Sequence, residues 1–242
     1  MSERYARLSH CWGRDVPLRL TKYTFTMFKR GFPPPDSLRH SRKSSLLSDD
    51  FTQKYLSVNA LCFFQDSIND WSVQAQDMAS VYSNSYLDIA ASTARNSHAG
   101  LFERHKPDLR QAVGVRCGRG CSYVVYTSRF AYMDLVGALS ERAWVVQERF
   151  LSSRAVHFGC RGRVHYECLA CTTTAVLPMG FFTPRSWADF KTHDSLWETL
   201  SGPLTMNAER VIYGLWDKLL RYYTRGQLTF ASDKAIDSIE SL

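Results

Sequence analysis

Apolar and polar positions change rhythm along the chain, and the changes mark its elements. Tyr5–Cys11 carries apolar or aromatic residues at alternating places and reads as a strand. It runs into Trp12-Gly13, where glycine permits a tight turn. The stretch 29–45 (KRGFPPPDSLRHSRKSS), with three consecutive prolines, reads as an extended surface loop. Tyr55–Phe64 (YLSVNALCFF) is almost wholly apolar and predicts a buried strand. Asp70 then offers a cap for a helix from Trp71 to Tyr82. On that helix Trp71, Ala75, Met78 and Tyr82 form one apolar stripe, expected to face the core, opposite Ser72, Gln76 and Ser80.

Tyr86–Ala91 (YLDIAA) predicts another strand, which completes a strand–helix–strand unit of parallel type. Ala112–Arg116 and Ser122–Thr127, around CGRGC, predict a hairpin, and Ala155–Phe158 with Val164–Cys168 predict a second. Helices are predicted over Arg142–Leu151 and Asn207–Tyr223. The latter carries Ile212, Trp216, Leu219 and Tyr223 on one face, with Gly226 just past its end. The expected architecture is α/β: a parallel layer of at least three strands in the N-terminal half, with hairpins and helices added in the C-terminal half.

Composition narrows the class. In 242 residues, 45% are hydrophobic and 22% charged, which excludes disordered, collagen-like and coiled-coil chains. The longest apolar run, AVLPMGFF at 175–182, is far short of the ~20 residues of a membrane helix. MSERYARLSH lacks the apolar stretch of a secretory signal. A cytoplasmic protein without a membrane span is expected.

The net charge of +7 is uneven: residues 1–43 hold ten basic and three acidic side chains, residues 44–99 two and six, and residues 100–165 eleven and five. The aromatics among the first basic residues (Tyr5, Trp12, Tyr23, Phe25, Phe28, Phe32) could stack on bases. No RRM, KH or finger pattern accompanies them, so nucleic acid is not the expected partner.

Seven cysteines at irregular spacing do not form a disulfide framework. Cys168-x-x-Cys171, with Cys160, His157 and His165 nearby, resembles half of a zinc site. There is no second knuckle at the usual spacing, so thiols and no metal are expected. His10-Cys11 and Cys62 are placed at strand ends, where nucleophiles often lie. Adjacent strand residues face opposite ways, however, so His10 is badly placed as a base for Cys11.

Three segments together carry a family resemblance. They are Leu8-Ser9-His10-Cys11-Trp12-Gly13, then Ala60-Leu61-Cys62-Phe63-Phe64-Gln65-Asp66 followed by Trp71, Met78 and Tyr82, then Arg142-Ala143-Trp144-Val145-Val146-Gln147-Glu148-Arg149. They resemble the LSxCWG, LCIxQDxxxDW…M…Y and RxWxxQE blocks of the fungal heterokaryon incompatibility (HET) domain. Smaller echoes follow in order: Ile89-Ala90-Ala91 with Gly100-Leu101-Phe102, then Tyr166-Glu167-Cys168, then Trp216, Tyr222, Leu228-Thr229 and Asp233-Lys234. Ser57 and Asn59 stand where the family pattern has Trp and Asp.

The resemblance implies a single HET domain over 1–242, shortened at its C-terminal end. Its fold would be distantly similar to the flavodoxin-like TIR domain. Its function would be a cell-death signalling or effector module in fungal non-self recognition, triggered by a protein partner or by self-association. Similarity to TIR domains implies an alternative, NAD cleavage, with NAD as substrate rather than cofactor and Glu148 or Asp66 as the carboxylate. A further alternative is a diverged, inactive copy. For Glu148 the plainer expectation is a buried acid satisfied by backbone amides or an arginine, and for Asp66 a turn cap. Cys11, Trp12, Gly13, Cys62, Gln65, Asp66, Arg142, Trp144, Gln147 and Glu148 are expected to converge at or beyond the strand ends.

Overall fold

The computed structural model describes residues 4–13, 18–31, 55–102, 113–117, 121–125, 137–169, 171–175 and 206–228. Among the described residues, eight strands form two sheets. β1 (Tyr5–Ser9), β2 (Tyr55–Val58), β3 (Leu87–Ala90), β6 (Arg154–Phe158), β7 (Val164–Cys168) and β8 (Thr172–Thr174) make a six-stranded sheet in the order β2-β1-β3-β6-β7-β8. β1 pairs parallel with both β2 and β3, and β3 pairs parallel with β6. β7 and β8 then add antiparallel hairpins to the same sheet. The C-terminal half therefore supplies a strand of the parallel layer, β6, as well as hairpins. β4 (Val113–Cys117) and β5 (Cys121–Val125) form the separate hairpin expected around CGRGC, with Cys117 opposite Cys121.

The helices are α1 (Phe25–Lys29), α2 (Asn59–Cys62), α3 (Ile68–Ser83), α4 (Ala143–Leu151) and α5 (Met206–Arg225). Neither α1 nor β8 is predicted by periodicity. The segment 32–45 of the expected surface loop lies outside the described residues.

Two expectations are corrected. The run Tyr55–Phe64 is a strand only to Val58 and then turns helical as α2. An apolar run of this length fits either state, and local bonds decide: Val58 N donates to Cys62 Sγ at 3.4 Å. The cap of α3 is Ser67, whose hydroxyl accepts from Asp70 N at 3.3 Å, and the helix starts three residues before Trp71. Asp70, inside the first turn, instead accepts from Phe64 N at 2.6 Å.

Strand alternation gives the sheet two unlike faces. One face carries Ala6, Leu8, Val58, Leu87, Ile89 and Phe158, which form the largest apolar core with Ala91, Ala94 and Leu101. On the other face the register lines up polar residues. Ser57, Arg7, Asp88, Ala155, Glu167 and Thr172 form one row across six strands. Ser9, Ala90, His157, His165 and Thr174 form the next. Parallel sheets usually bury two apolar faces. Here α3 and α4 cover a polar one, and Arg7, Asp88, His157, His165 and Glu167 are all buried beneath them.

Helix α5 packs on the far side of α4. Tyr223 and Ala143 form a small core with Trp216, Leu220 and Leu228, and Val146, Gln147 and Phe150 of α4 line a narrow apolar cleft against Trp216 and Leu219. The chain after α5 is tied to the start of α4: Gln227 N donates to Glu141 O, and Ala143 N donates to Gln227 O. Gly226 makes this approach possible, since a Cβ there would lie 2.4 Å from Ala143 Cα.

Candidate functional site

The first and third sequence blocks meet where β1 ends and α4 begins. Arg142 Nη1 donates to His10 O at 3.2 Å, and its guanidinium charge acts on the Cys11 thiol. Burial pushes that thiol up to about 11; Arg142 pulls the other way, and Glu148 and Glu141 add to the rise. At neutral pH Cys11 is a protonated, buried thiol packed with Ala90 and Leu139, which is the opposite of an activated nucleophile. Gly13 follows with φ of +79°, and a Cβ there would lie 2.5 Å from Asn96 Cβ, so the turn after Trp12 admits only glycine without strain.

Glu148 turns inward to the polar sheet face. It is buried beside the Tyr82 hydroxyl of α3. Burial raises the Tyr82 phenol well above its ordinary value, with Glu148 adding to the rise. On the ring of Tyr82 lies Arg7, its guanidinium carbon 3.4 Å from the centroid. Arg7 Nη2 donates to Asn59 Oδ1, while Nε and Nη1 have no hydrogen-bond partner among the described residues. Beside it Ser9 Oγ donates to Asp88 at 3.0 Å.

A second buried group continues the face. Arg149 grips Glu167 through two charge-assisted bonds, Nε to Oε1 at 2.7 Å and Nη2 to Oε2 at 2.6 Å. His157 Nε2 lies 3.0 Å from Glu167 Oε1, and its Nδ1 lies 3.4 Å from Ser92 Oγ. The residue order is that of a Ser-His-acid relay, but the two ring nitrogens are used the other way round. The access does not match. Ser92 is 3% exposed, and Arg149 occupies both oxygens of the acid. The group is a junction between α4, β6 and β7.

The remaining motif residues lie elsewhere. Cys62 is exposed at the end of α2, not on a strand, 3.6 Å from Ser57 Oγ. Gln65 Nε2 donates to Asn59 O and Phe63 O, at 3.0 and 3.2 Å, while Asp66 accepts from Lys22 N at 3.2 and 3.1 Å. The Gln65 amide braces the second block internally, while Asp66, and Gln65 N donating to Leu20 O, fasten the segment before α1 to that block. Trp144 meets Tyr223 of α5 edge-on at 6.4 Å, and Gln147 also faces α5. Of the α3 stripe, Tyr82 is buried, Ala75 and Met78 are half-buried, and Trp71 is exposed. Ser9, Cys11, Arg142, Glu148 and Tyr82 are therefore brought together; Cys62, Gln65 and Asp66 form a separate lock, and Trp144 and Gln147 a third.

Sequence reasoning passes over Arg7 and Asp88 as site members, and meets His157 only beside a half zinc site and Glu167 only in a family echo. Their signal is faint: single polar residues at alternate positions of otherwise apolar strands. Cys168 and Cys171 face each other at the β7–β8 turn, Sγ to Sγ 3.7 Å. Among the described residues no three His, Cys, Asp or Glu side chains are placed to hold a metal ion. None of the described helices is long and apolar enough to cross a membrane.

Fold and site define a mixed α/β protein whose sequence blocks join two helices to a buried polar sheet face. The family model described as heterokaryon incompatibility protein (HET) matches residues 5–148. That is more than half of the 242 residues, and the chain belongs to this family. Its function is thereby tied to heterokaryon incompatibility. The match takes in all three blocks to Glu148; the echoes at 166–168 and 216–234 lie beyond it. Searches among curated proteins and among solved structures returned no match.

Proposed function

We propose that the chain is a single HET domain over 1–242. It acts in the cytoplasm as a signalling or effector module of incompatibility-type cell death, working by contact with a protein partner or a second copy of itself. The observation that carries this reading is the engagement of both motif carboxylates. Glu148 is buried on the Tyr82 hydroxyl, and Asp66 caps Lys22 N. Each holds elements together rather than facing an open pocket. A contact surface is supported by the first turns of α3, where Ile68 is 86%, Trp71 45% and Val73 54% exposed. No cofactor or metal is required, and nucleic acid is not the partner.

A second reading is a TIR-like enzyme that cleaves NAD as its substrate. It is favoured by the parallel succession β2-β1-β3-β6, an order compatible with flavodoxin-like folds. Glu148 would then stabilise the ribosyl cation as nicotinamide leaves. A diverged, inactive copy is the third, supported by Ser57 and Asn59 at two pattern positions.

Inducible expression in a fungal host, with growth and cellular NAD followed together, separates the three. Growth arrest with NAD unchanged is the expected result. NAD loss that Glu148→Gln or Asp66→Asn abolishes would establish the enzyme. Normal growth with normal NAD would point to the inactive copy.

A further inference from the structure

We propose that Cys168 and Cys171 are a reversible dithiol–disulfide pair, oxidised by exchange with a low-molecular-weight disulfide such as oxidised glutathione. Two residues, Leu169 and Ala170, separate them in sequence. Across the β7–β8 turn Cys168 N donates to Cys171 O at 2.9 Å, so the backbones are already held side by side. Both side chains are thiols and their sulfurs approach to 3.7 Å. Closing the bond needs a sulfur displacement of about 1.7 Å, since a disulfide spans about 2.0 Å. The two positions also differ in access: Cys171 is exposed and Cys168 is half-buried. That asymmetry suits an attacking thiol and a resolving one.

The exchange balances in two steps. The Cys171 thiolate attacks one sulfur of oxidised glutathione, forming a mixed disulfide and expelling one glutathione thiolate, which takes up the proton Cys171 lost. The Cys168 thiolate then attacks the Cys171 sulfur, closing the protein disulfide and expelling the second glutathione, which gains the other proton. The protein loses two protons and two electrons; one oxidised glutathione becomes two reduced molecules. Burial and the neighbouring Cys168 raise the Cys171 thiol above its ordinary value. Exchange is accordingly slow at neutral pH and quickens as pH rises. The hairpin is also a place where a link has structural reach, because Cys168 directly follows Glu167, which holds Arg149 of α4.

The test uses the full chain, kept folded as checked by circular dichroism. It is incubated with oxidised glutathione or with dithiothreitol, alkylated with N-ethylmaleimide, and digested with trypsin. Peptide 164–185 holds these two cysteines and no other. After oxidised glutathione it should be two hydrogens lighter and unalkylated; after dithiothreitol it should carry two maleimides. Cys168→Ser should stop the reaction at a single glutathione on Cys171. The proposal is overturned if the oxidised peptide still carries two maleimides. Two glutathiones on it, or a link to Cys62 or Cys160, would overturn it equally.

Discussion

Arg149 and Glu167, eighteen residues apart, are joined by two parallel hydrogen bonds of 2.7 and 2.6 Å inside the polar face of the sheet. The pair is nearly sealed, with side-chain exposures of 11% and 2%. A buried pair of this kind costs desolvation to form, and removing one partner strands the other charge. Glu167→Gln should therefore lower stability by about 3–5 kcal/mol, and Arg149→Met by a similar amount. The double variant Arg149→Met/Glu167→Gln carries no buried charge at the site, and Gln keeps an oxygen for His157. It should be more stable than either single variant in urea denaturation. A double variant worse than both singles would show that the pair is net stabilising in itself.

Asn59 receives Arg7 Nη2 where the family pattern has an aspartate. A carboxylate there would turn a neutral acceptor into a charge-assisted one for a buried guanidinium. Asn59→Asp should raise stability by about 1 kcal/mol at pH 7. Arg7 would hold the new carboxyl below the ordinary aspartate value near 3.9. The gain is therefore present above about pH 4 and disappears as pH falls through the folded-state value. Thermal melts of both proteins at pH 7 and pH 3 check this: the difference should be clear at the first and absent at the second.

How much of this was legible in the sequence differs by element. Helices α3 and α5 follow from their helical period, and strand β1 and both hairpins from alternation and turn residues along the sequence. The run from Tyr55 was misread because its uniform apolarity carries no period, and Cys62 bonding back to Val58 N decides its bend. The polar face stays hidden in the sequence for the opposite reason. Tyr5-Ala6-Arg7-Leu8-Ser9 alternates as a strand with a solvated side would, yet Arg7 is only 2% exposed. Nothing local in a strand tells whether water or a helix lies over it. That Arg142 reaches His10 was foreshadowed only by the order of the family blocks; spacing within each block could not supply it.

Cys11 gives a pH-dependent test. Its thiol moves from an ordinary 9.0 to about 11 in the folded protein. Below pH 9 the thiol is protonated whether the chain is folded or not, and its contribution is fully present. Between pH 9 and 11 the unfolded thiol ionises first, so stability falls, by a total of roughly 2–3 kcal/mol. Cys11→Ala should flatten that part of the stability–pH profile while leaving the acid side alone. At pH 8 in native buffer, iodoacetamide should label exposed Cys62 and spare Cys11 until denaturant is added.

The placing of the Tyr82 phenol beside Glu148 tests whether the motif glutamate is a strut or a reagent. Tyr82→Phe removes the phenol and leaves a buried carboxylate without that polar neighbour, which should cost about 1–3 kcal/mol. Glu148→Gln keeps an acceptor for Tyr82 and removes the charge, so alone it should cost less. In the double variant the stranded charge is gone, and the loss should fall short of the sum of the singles by about 1 kcal/mol, a coupling that a double-mutant cycle in urea measures directly. A strut predicts more than coupling in stability. It predicts that Glu148→Gln, folded and stable, still arrests growth on expression, whereas Tyr82→Phe weakens arrest in proportion to the protein lost. If Glu148→Gln folds normally and yet abolishes arrest, the carboxylate charge itself is required, and the contact-only reading gives way to a chemical one.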